Sequence, residues 1–222
     1  MKITVIDAGK RFNRDWIFRH LSYEFSTGHS YAITGPNGSG KSTLLQSLAG
    51  AIGISEGAIH YADAGKTAEH RQTLTGPGKT LAALAQIPAD QIFRHLSLAA
   101  PYLQVIEEMT LTEFLHFHDA FKPLGCTVKE AIARIGLEAS AHKQIRFYSS
   151  GMKQRVRLAQ AFFSDTPIVL LDEPCTNLDL DGIELYRSLI REHTPGRLLV
   201  ISSNDVQEYD FCEEKLDIRH YR

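Results

Sequence analysis

The sequence has few of the features that mark secreted or membrane-spanning proteins. Its 222 residues include three cysteines, far apart and odd in number, which argues against a disulfide framework and favours a reducing compartment. No stretch approaches ~18 consecutive apolar residues, so no transmembrane helix is predicted. No apolar run follows Lys2 as it would in a secretory signal. Any association with a membrane is therefore expected to depend on a partner.

Positive and negative charges are also nearly balanced. Lys and Arg total 24 against 26 for Asp and Glu, for a formal net charge of −2. Because there is no basic excess, nucleic acid is not expected as a partner. The sequence has no HExxH segment and no paired CxxC segments, so a structural zinc site is not predicted. The length fits one large domain, and residues 1–222 are expected to form it.

Apolar residues recur at helical spacing in three parts of the chain. The first helix is predicted from Ser42 to Ala49 and stops at Gly50. Residues 110–145 have the same periodicity, and so does the segment from Met152 to Phe163. The second and third parts together predict a helical subdomain over about residues 105–160.

Strands are predicted on both sides of this helical region. The first 35 residues form short strands and turns, beginning with Lys2 to Asp7, which alternates. Phe93 to Ala99 is apolar enough for a further strand. Ile168 to Leu171 and Leu198 to Ile201 are unbroken apolar runs, as is typical of a parallel sheet covered on both faces. The order of elements predicts an α/β core with a helical insertion.

Residues 62–80 differ from the rest in composition. They contain three glycines and four threonines and have almost nothing to bury, so we interpret them as a mobile surface loop. The stretch ends in Gly78-Lys79-Thr80, but no strand precedes it and the earlier glycine of a phosphate loop is missing. A second nucleotide site is therefore not predicted here.

A glycine-rich segment with the pattern G-x-x-x-x-G-K-[ST] lies between a predicted strand and the first predicted helix. Its nine residues, all predicted to bind nucleotide, are Gly35, Pro36, Asn37, Gly38, Ser39, Gly40, Lys41, Ser42 and Thr43. Glycines allow successive backbone N–H groups to turn towards a phosphate, and the helix dipole favours an anion at the same place. Lys41 supplies a point charge, and the Ser42 hydroxyl is a candidate ligand of Mg²⁺.

Two adjacent carboxylates follow the apolar strand that begins at Ile168. They are Asp172 and Glu173. Since neighbouring side chains of a strand point in opposite directions, the two can have different functions. Asp172 is the candidate for holding Mg²⁺, directly or through water. Glu173 is the candidate catalytic residue that polarises an attacking water.

The segment between the phosphate loop and the acidic strand end is more specific. It has the sequence Tyr-Ser-Ser-Gly-Met-Lys-Gln-Arg over residues 148–155, which resembles the LSGGQ signature of ATP-binding-cassette (ABC) ATPases. Pro-Cys-Thr-Asn-Leu-Asp over residues 174–179 is similar to the D-loop of that family. The resemblance extends over essentially the whole chain. It implies an α/β fold with a P-loop NTPase core and parallel sheet, an N-terminal antiparallel β-subdomain and an inserted α-helical subdomain.

The resemblance also implies roles for individual residues. Ser149 and Gly151 of one copy are expected to face the γ-phosphate held by the other copy, so that two ATP molecules are buried in a head-to-tail dimer. Asp179 is expected to contact the partner subunit. Phe12 matches the aromatic residue that stacks on adenine, although a core position is the alternative and Trp16 is the other candidate.

Three departures from the family pattern stand out. In the signature, Ser150 replaces a glycine and Met152 replaces a glutamine, a variant similar to the YSSGM form of some bacterial exporter ATPases. Asn204 occupies the position of the switch histidine; it can donate a hydrogen bond but cannot carry a proton. Hydrolysis is therefore expected to persist through Glu173 and to be slow or partner-dependent.

The third departure concerns the glutamine expected after the strand that ends near residue 100. Pro101 occupies its place and Gln104 comes three residues late. Gln104 is the candidate for reaching Mg²⁺ or its water through a reshaped loop, with a plain surface glutamine as the alternative. In the family this loop senses the membrane partner.

The function that these features imply is ATP binding and hydrolysis that powers transport by a separate transmembrane subunit, with an exporter favoured. The expected ligands are ATP and Mg²⁺, and the expected partner is a second, identical or related, nucleotide-binding subunit. The expected location is the cytoplasmic face of the inner membrane. The alternative is an ABC ATPase that drives a non-transport assembly or a macromolecular process.

Overall fold

The computed structural model describes residues 1–67 and 84–222, which contain two β-sheets. The first sheet is antiparallel, with strand order β2-β1-β4-β5. Its strands are β1 (Lys2–Phe12), β2 (Asp15–Ser26), β4 (Glu56–Thr67) and β5 (Leu84–Ile87). The second is parallel, with order β6-β7-β8-β3-β9. Its strands are β3 (Ser30–Thr34), β6 (Leu96–Ala99), β7 (Ile168–Asp172), β8 (Leu198–Ser202) and β9 (Glu214–Asp217).

The α-helices begin at residues that suit helix N-termini. The helices are α1 (Lys41–Leu48), α2 (Leu111–Phe121), α3 (Val128–Arg134), α4 (Ser150–Phe163) and α5 (Leu180–His193). Thr110 and Thr127 form capping boxes with Glu113 and Glu130 at α2 and α3. Such boxes satisfy backbone N–H groups that have no partner inside the helix. None of the helices in the described part of the chain is long and apolar enough to cross a membrane.

The parallel sheet separates two hydrophobic cores, and alternate residues of β7 face each of them. Ile168 and Leu170 pack with α1 and the antiparallel sheet. Val169 and Leu171 pack with the helices on the opposite face. This alternation follows from the two-residue period of a strand, and it explains why the run is apolar throughout. The predicted α/β architecture, with its parallel and antiparallel sheets and helical insertion, is confirmed.

Two sequence predictions about strands are wrong in part. Residues 62–67, which we assigned to a surface loop, continue β4, because Ala62 and Asp63 pair with Gln86 and Ala85 of β5. The remainder of that predicted loop, residues 68–80, lies outside the described residues, as does the Gly78-Lys79-Thr80 motif. Phe93 lies in a 3₁₀ helix, and β6 begins only at Leu96.

The helical predictions also need adjustment. The region of helical spacing predicted over residues 110–145 contains α2 and α3, followed by short 3₁₀ turns. The apolar spacing extends beyond α3 into segments that are too short to form an α-helix. The helix predicted from Met152 begins two residues earlier, since Ser149 caps it. The helix predicted from Ser42 is α1, displaced by one residue at each end.

The strand order places the candidate site. β8 lies between β3 and β7, and all three are parallel. The carboxyl ends of parallel strands meet at one edge of the sheet, where ligands of α/β proteins bind. The residues that follow Thr34, Leu171 and Ser202 therefore share that edge.

Candidate functional site

The phosphate loop connects β3 to α1. Gly40 caps α1 with a φ of 102°, in the left-handed region that favours glycine. A Cβ at this position would lie 2.3 Å from Cγ2 of Ile17 in β2. Only glycine therefore allows the loop to pack against the antiparallel sheet and still turn into the helix.

The Lys41 side chain lies inside the phosphate loop and bonds to its backbone. The residue is 4% exposed, and its Nζ donates hydrogen bonds to the carbonyls of Gly35 and Pro36 at 3.0 and 3.2 Å. The cavity beside it has a volume of about 220 Å³. Its lining residues are Ile17, Asn37, Gly38, Gly40, Lys41, Ser42, Thr43 and Glu173. Most of the predicted nucleotide-binding residues and the predicted catalytic glutamate thus lie on one cavity.

Asp172 ends β7 with an incompletely satisfied carboxylate. The residue is 2% exposed, and its Oδ1 has no hydrogen-bond partner among the described residues. A buried carboxylate oxygen without a partner is costly unless a ligand completes it. Asp172 pairs with Ser202 of β8, so it lies at the ligand-binding edge of the sheet.

These residues fit Mg²⁺ bound together with a nucleotide. The Asp172 carboxylate and the Ser42 hydroxyl are hard oxygen ligands of the kind that Mg²⁺ prefers. Among residues 1–67 and 84–222 there is no group of three or more His, Cys, Asp or Glu that could hold a metal ion. Magnesium bound here would therefore take further ligands from phosphate oxygens and water, as is usual for this ion.

Glu173 has a strained backbone. Its φ is 42°, which is uncommon for a residue with a Cβ and costs of order 1–3 kcal/mol. Its N–H donates to the carbonyl of Ser202 at 2.8 Å, which holds the strained turn against β8. The side chain lines the phosphate-loop cavity with Lys41. Strain of this kind concentrates at functional sites, which favours the predicted catalytic role.

The loop after β6 places a tyrosine near Asp172 that sequence reasoning missed. Tyr102 is 45% exposed and interacts electrostatically with Asp172. Burial and the Asp172 charge raise the pKa of Tyr102 to about 12. Gln104, the predicted metal residue of this loop, is exposed, and its role stays a prediction. No local sequence signal identifies Tyr102, since its position depends on strand register.

A second cavity surrounds the predicted signature. Ser149 accepts a hydrogen bond from the N–H of Met152 at 3.2 Å and caps α4. A Cβ on Gly151 would lie 2.9 Å from the carbonyl oxygen of Asn177, so glycine allows the D-loop to approach the helix. The cavity is about 350 Å³. Its lining residues are Leu137, Ser149, Ser150, Gly151, Met152, Arg155, Asn177 and Asp179.

Asp179 connects the D-loop to two helices. It caps α5 by accepting from the Gly182 N–H at 2.8 Å, and its Oδ1 lies 3.2 Å from Nη2 of Arg155 in α4. The Gly182 hydrogen bond, and secondarily Arg155, lower the pKa of Asp179. The carboxylate is 73% exposed, so it is accessible as the predicted partner contact requires.

The two candidate adenine-stacking residues differ in their surroundings. Phe12 ends β1 and is 48% exposed, with Nζ of Lys10 at 4.9 Å from its ring centre. Trp16 packs against Arg19 at 4.5 Å and against the backbone near Gly9. The accessible ring of Phe12 favours it over Trp16, and it belongs to the hairpin that brings Ile17 to the phosphate loop.

Asn204 follows β8 and is exposed. It is not among the residues that line the phosphate-loop cavity. Glu208, four residues later, is 4% exposed, and its Oε1 accepts from the Cys175 N–H at 2.7 Å. Burial raises the pKa of Glu208. This side chain joins the D-loop to the segment around Asn204, a link that sequence reasoning missed.

Comparisons with known proteins identify the family. A family model described as ABC transporter matches residues 18–176, which include the phosphate loop, the signature and both carboxylates. The chain therefore belongs to the ABC transporter family. Within that family it is an ATP-binding subunit with ATPase activity.

Named relatives cover nearly the same length. The uncharacterized ABC transporter ATP-binding protein YybJ of Bacillus subtilis is 29% identical over 99% of this chain and 94% of its own. The cytochrome c biogenesis ATP-binding export protein CcmA of Xanthomonas oryzae pv. oryzae is 33% identical over 83% of this chain and 77% of its own. The dimeric structure of MJ0796, a bacterial ABC transporter cassette, has a TM-score of 0.76 at 20% identity, covering 97% of this chain and 94% of that one.

Proposed function

We propose that the protein hydrolyses Mg·ATP at the phosphate-loop cavity and that a dimer of such subunits drives a separate membrane partner. The observation that carries the proposal is the convergence of Lys41, Ser42 and Glu173 on one cavity. Beside it lies the buried Oδ1 of Asp172, which has no hydrogen-bond partner among the residues that the structure describes. A general binding cavity needs none of these groups. Phosphoryl transfer needs all of them, because its catalysis depends on positioning and on stabilising negative charge.

Each residue has a defined part in this reaction. The amides of Gly38 to Thr43 and the Lys41 ammonium hold the phosphates, and Glu173 orients the water for in-line attack. Asp172 and Ser42 would hold Mg²⁺, which would neutralise negative charge on the phosphates. Phe12 stacks on the adenine ring. Asn204 donates a hydrogen bond towards the γ-phosphate without carrying a proton, which makes hydrolysis slow or dependent on a partner.

The signature cavity is the second half of a site shared between subunits. Its lining residues and those of the phosphate-loop cavity have no member in common. Ser149, the N-terminus of α4 and the amide near Gly151 suit an anion, yet Lys41 already serves the phosphates in the same chain. We therefore assign Ser149 and Gly151 to the γ-phosphate held by a second copy, with Asp179 at the contact between copies. The related MJ0796 cassette is dimeric by description.

The proposed partner is a transmembrane subunit, and the proposed direction is export. One relative, CcmA, is described as an export protein, and the YSSGM signature variant is in accord with exporter ATPases. In this proposal, a second polypeptide supplies the path across the membrane. We place the subunit at the cytoplasmic face of the inner membrane, attached through that partner.

Replacing Lys41 tests whether the phosphate loop binds ATP. Lys41→Ala is expected to weaken Mg·ATP binding by about 100-fold or more, because a buried charge that contacts phosphates is worth several kcal/mol. Isothermal titration calorimetry gives the affinity. Lys2→Ala, which removes a lysine paired with Glu24 at 2.7 Å in the antiparallel sheet, is the control and should bind as the parent does. Undiminished affinity in Lys41→Ala would show that ATP binds elsewhere.

Replacing Glu173 tests hydrolysis and dimer closure together. Glu173→Gln keeps the shape of the side chain and removes its ability to accept a proton, so turnover is expected to fall about 100-fold or more. ATP-bound dimers should then accumulate and elute at twice the mass in size-exclusion chromatography. Glu184→Gln, on the exposed face of α5, serves as the control. Parent-rate hydrolysis in Glu173→Gln would assign the base to another residue.

A further inference from the structure

A peptide unit just after Glu173 is held from two sides by buried side chains. The unit consists of the carbonyl of Pro174 and the N–H of Cys175. Nε2 of Gln154 donates to that carbonyl at 2.8 Å. Oε1 of Glu208 accepts from that N–H at 2.7 Å. Both side chains are buried, Gln154 being 1% exposed, so partners from two distant parts of the chain fix one peptide unit.

The orientation of the Gln154 amide follows from its second partner. Nη1 of Arg157, three residues later in α4, donates to Oε1 of Gln154 at 3.2 Å. Because a guanidinium can only donate, the amide oxygen faces Arg157 and the amide nitrogen faces Pro174. Nε of Arg157 donates to the Leu103 carbonyl at 2.8 Å, which fixes the guanidinium in turn. The donor that Gln154 presents to the Pro174 carbonyl therefore has one defined direction.

Glu208 reaches Cys175 from a backbone that is itself held in place. It ends the 3₁₀ turn Val206–Glu208, in which its N–H donates to the Asp205 carbonyl at 3.1 Å. Its carbonyl accepts from the hydroxyl of Tyr186, a fully buried residue of α5, at 2.7 Å. A buried glutamate is costly unless hydrogen bonds compensate for its lost hydration. The bond to the Cys175 N–H is of the strong, charge-assisted kind when the carboxylate is ionised.

The strain at Glu173 explains what this arrangement is for. A residue with a Cβ keeps a φ of 42° only where its surroundings hold it there. The N–H of Glu173 is held by β8, and its carbonyl accepts from the Thr176 N–H at 3.1 Å. Pro174 has no N–H, so its carbonyl is the only backbone group of that residue that can be fixed by a hydrogen bond. Gln154 and Glu208 therefore hold the chain on the carboxyl side of Glu173.

We propose that Gln154 and Glu208 are positioning residues for ATP hydrolysis, which together fix the Pro174–Cys175 peptide and so hold the Glu173 carboxylate where it orients the attacking water. The inference rests on the proposed function and refines it. Neither side chain lines the phosphate-loop cavity, so neither is expected to contribute to ATP affinity. Gln154 belongs to the helix that the signature begins, and Glu208 belongs to the segment after β8. The position of Glu173 therefore depends on both of these segments.

The test separates the rate of hydrolysis from the affinity for ATP in the purified full-length protein. Gln154→Leu and Glu208→Leu remove the hydrogen-bonding groups at similar volume. Each is expected to lower kcat about tenfold or more, because small displacements of a catalytic group are costly. Mg·ATP affinity, measured by calorimetry, should be unchanged. Glu208→Gln retains an acceptor for the Cys175 N–H and is expected to keep most of the parent kcat.

A second measurement asks whether the two residues act through Glu173. In a Glu173→Gln background, neither leucine substitution should lower the residual rate further, since residues that act as a unit have non-additive effects. Single-turnover phosphate release gives that rate. Two other glutamines serve as controls and should hydrolyse ATP as the parent does when changed to leucine. They are Gln160, half-buried in α4, and Gln207, exposed beside Glu208.

Four results would overturn the inference. One is parent kcat in either leucine variant. Another is an equal loss in Glu208→Gln and Glu208→Leu, which would assign the effect to the charge and not to the hydrogen bond. The third is a parallel loss of Mg·ATP affinity, and the fourth is a further tenfold loss in the Glu173→Gln background. If the parent protein itself hydrolyses no ATP, the proposed function fails instead.

Discussion

At the scale of single residues, His118 shows how burial selects one protonation state. Its Nε2 lies 2.9 Å from the Ser164 hydroxyl oxygen, and that hydroxyl donates to the Gln160 carbonyl at 2.6 Å. The oxygen must therefore accept from an Nε2–H, which the neutral imidazole provides. Burial, and then the charge of Lys122, lower the pKa of His118 to about 4, while Asp119 opposes the shift.

This shift predicts an acid-sensitive contribution to stability. Between pH 6.5 and about 4 the unfolded chain binds a proton at His118 that the folded chain does not, so stability falls as pH falls through that window. His118→Gln should remove of order 1–2 kcal/mol of this dependence, a figure reduced because the side chain retains solvent contact. Urea unfolding at pH 7 and pH 4.5 gives the difference. The control is His116→Gln, on the exposed side of α2, and equal slopes in both variants would contradict the prediction.

The candidate site residues that the sequence could identify share one property: they are contiguous. The phosphate loop around Lys41 and the carboxylates after Leu171 each form an unbroken string whose chemistry needs no distant partner. Tyr102 escaped prediction because its approach to Asp172 depends on the register of β6 against β7. The strand character of Asp63 escaped for a similar reason, since pairing with Ala85 outweighs local polarity.

At the scale of elements, Arg197 joins the ends of two helices. Its Nη1 donates to the Phe162 carbonyl at 2.9 Å and to the His193 carbonyl at 3.1 Å, at the C-termini of α4 and α5. Its Nε donates to the Thr166 carbonyl at 2.6 Å. A guanidinium suits this place because helix C-termini carry partial negative charge and expose carbonyls without partners. Burial lowers the pKa of Arg197 to about 10.

Loss of this side chain should destabilise the packing of α4 on α5. Arg197→Met leaves several buried carbonyls without donors and is expected to lower the unfolding free energy by about 3 kcal/mol. Arg197→Lys keeps the charge and loses the planar fork, so about half of that loss is expected. Urea denaturation followed by circular dichroism measures both.

The matched control for Arg197 is Arg191, which lies in α5, the helix before β8. Arg191→Met removes an exposed guanidinium that pairs with Glu184 at 3.2 Å. A surface pair of this kind contributes about 1 kcal/mol or less. If Arg191→Met and Arg197→Met lower stability by the same amount, Arg197 does not fasten the two helices as we infer.

At the scale of the whole molecule, the separation of the two cavities determines how subunits must cooperate. A chain with a defective phosphate loop still has an intact signature, and the converse also holds. In a head-to-tail dimer, two such chains can together form one complete site. A site built within one chain would have no such property. The two arrangements therefore differ in what a mixture of defective subunits can do.

A signature variant that folds normally is needed for this test. Ser149→Asp retains an acceptor for the Met152 N–H, because aspartate is a good helix N-cap. If Ser149 faces the γ-phosphate held by a second copy, as we propose, the aspartate also places a negative charge there, and hydrolysis is expected to be lost. Ser149→Asn caps equally well without charge and should retain most activity. Equal inactivation by Asn and Asp would point to a structural defect instead.

Mixing Lys41→Ala with Ser149→Asp should then restore ATP hydrolysis. Random pairing gives mixed dimers in half of the population, each with one intact site, so activity of about a quarter of the parent rate is expected if the sites act independently. Each variant alone should remain inactive at the same total concentration. Steady-state phosphate release measures the rates. A mixture no more active than its components would show that Ser149 does not complete the site of a second chain, and that the proposed sharing of the nucleotide between subunits is wrong.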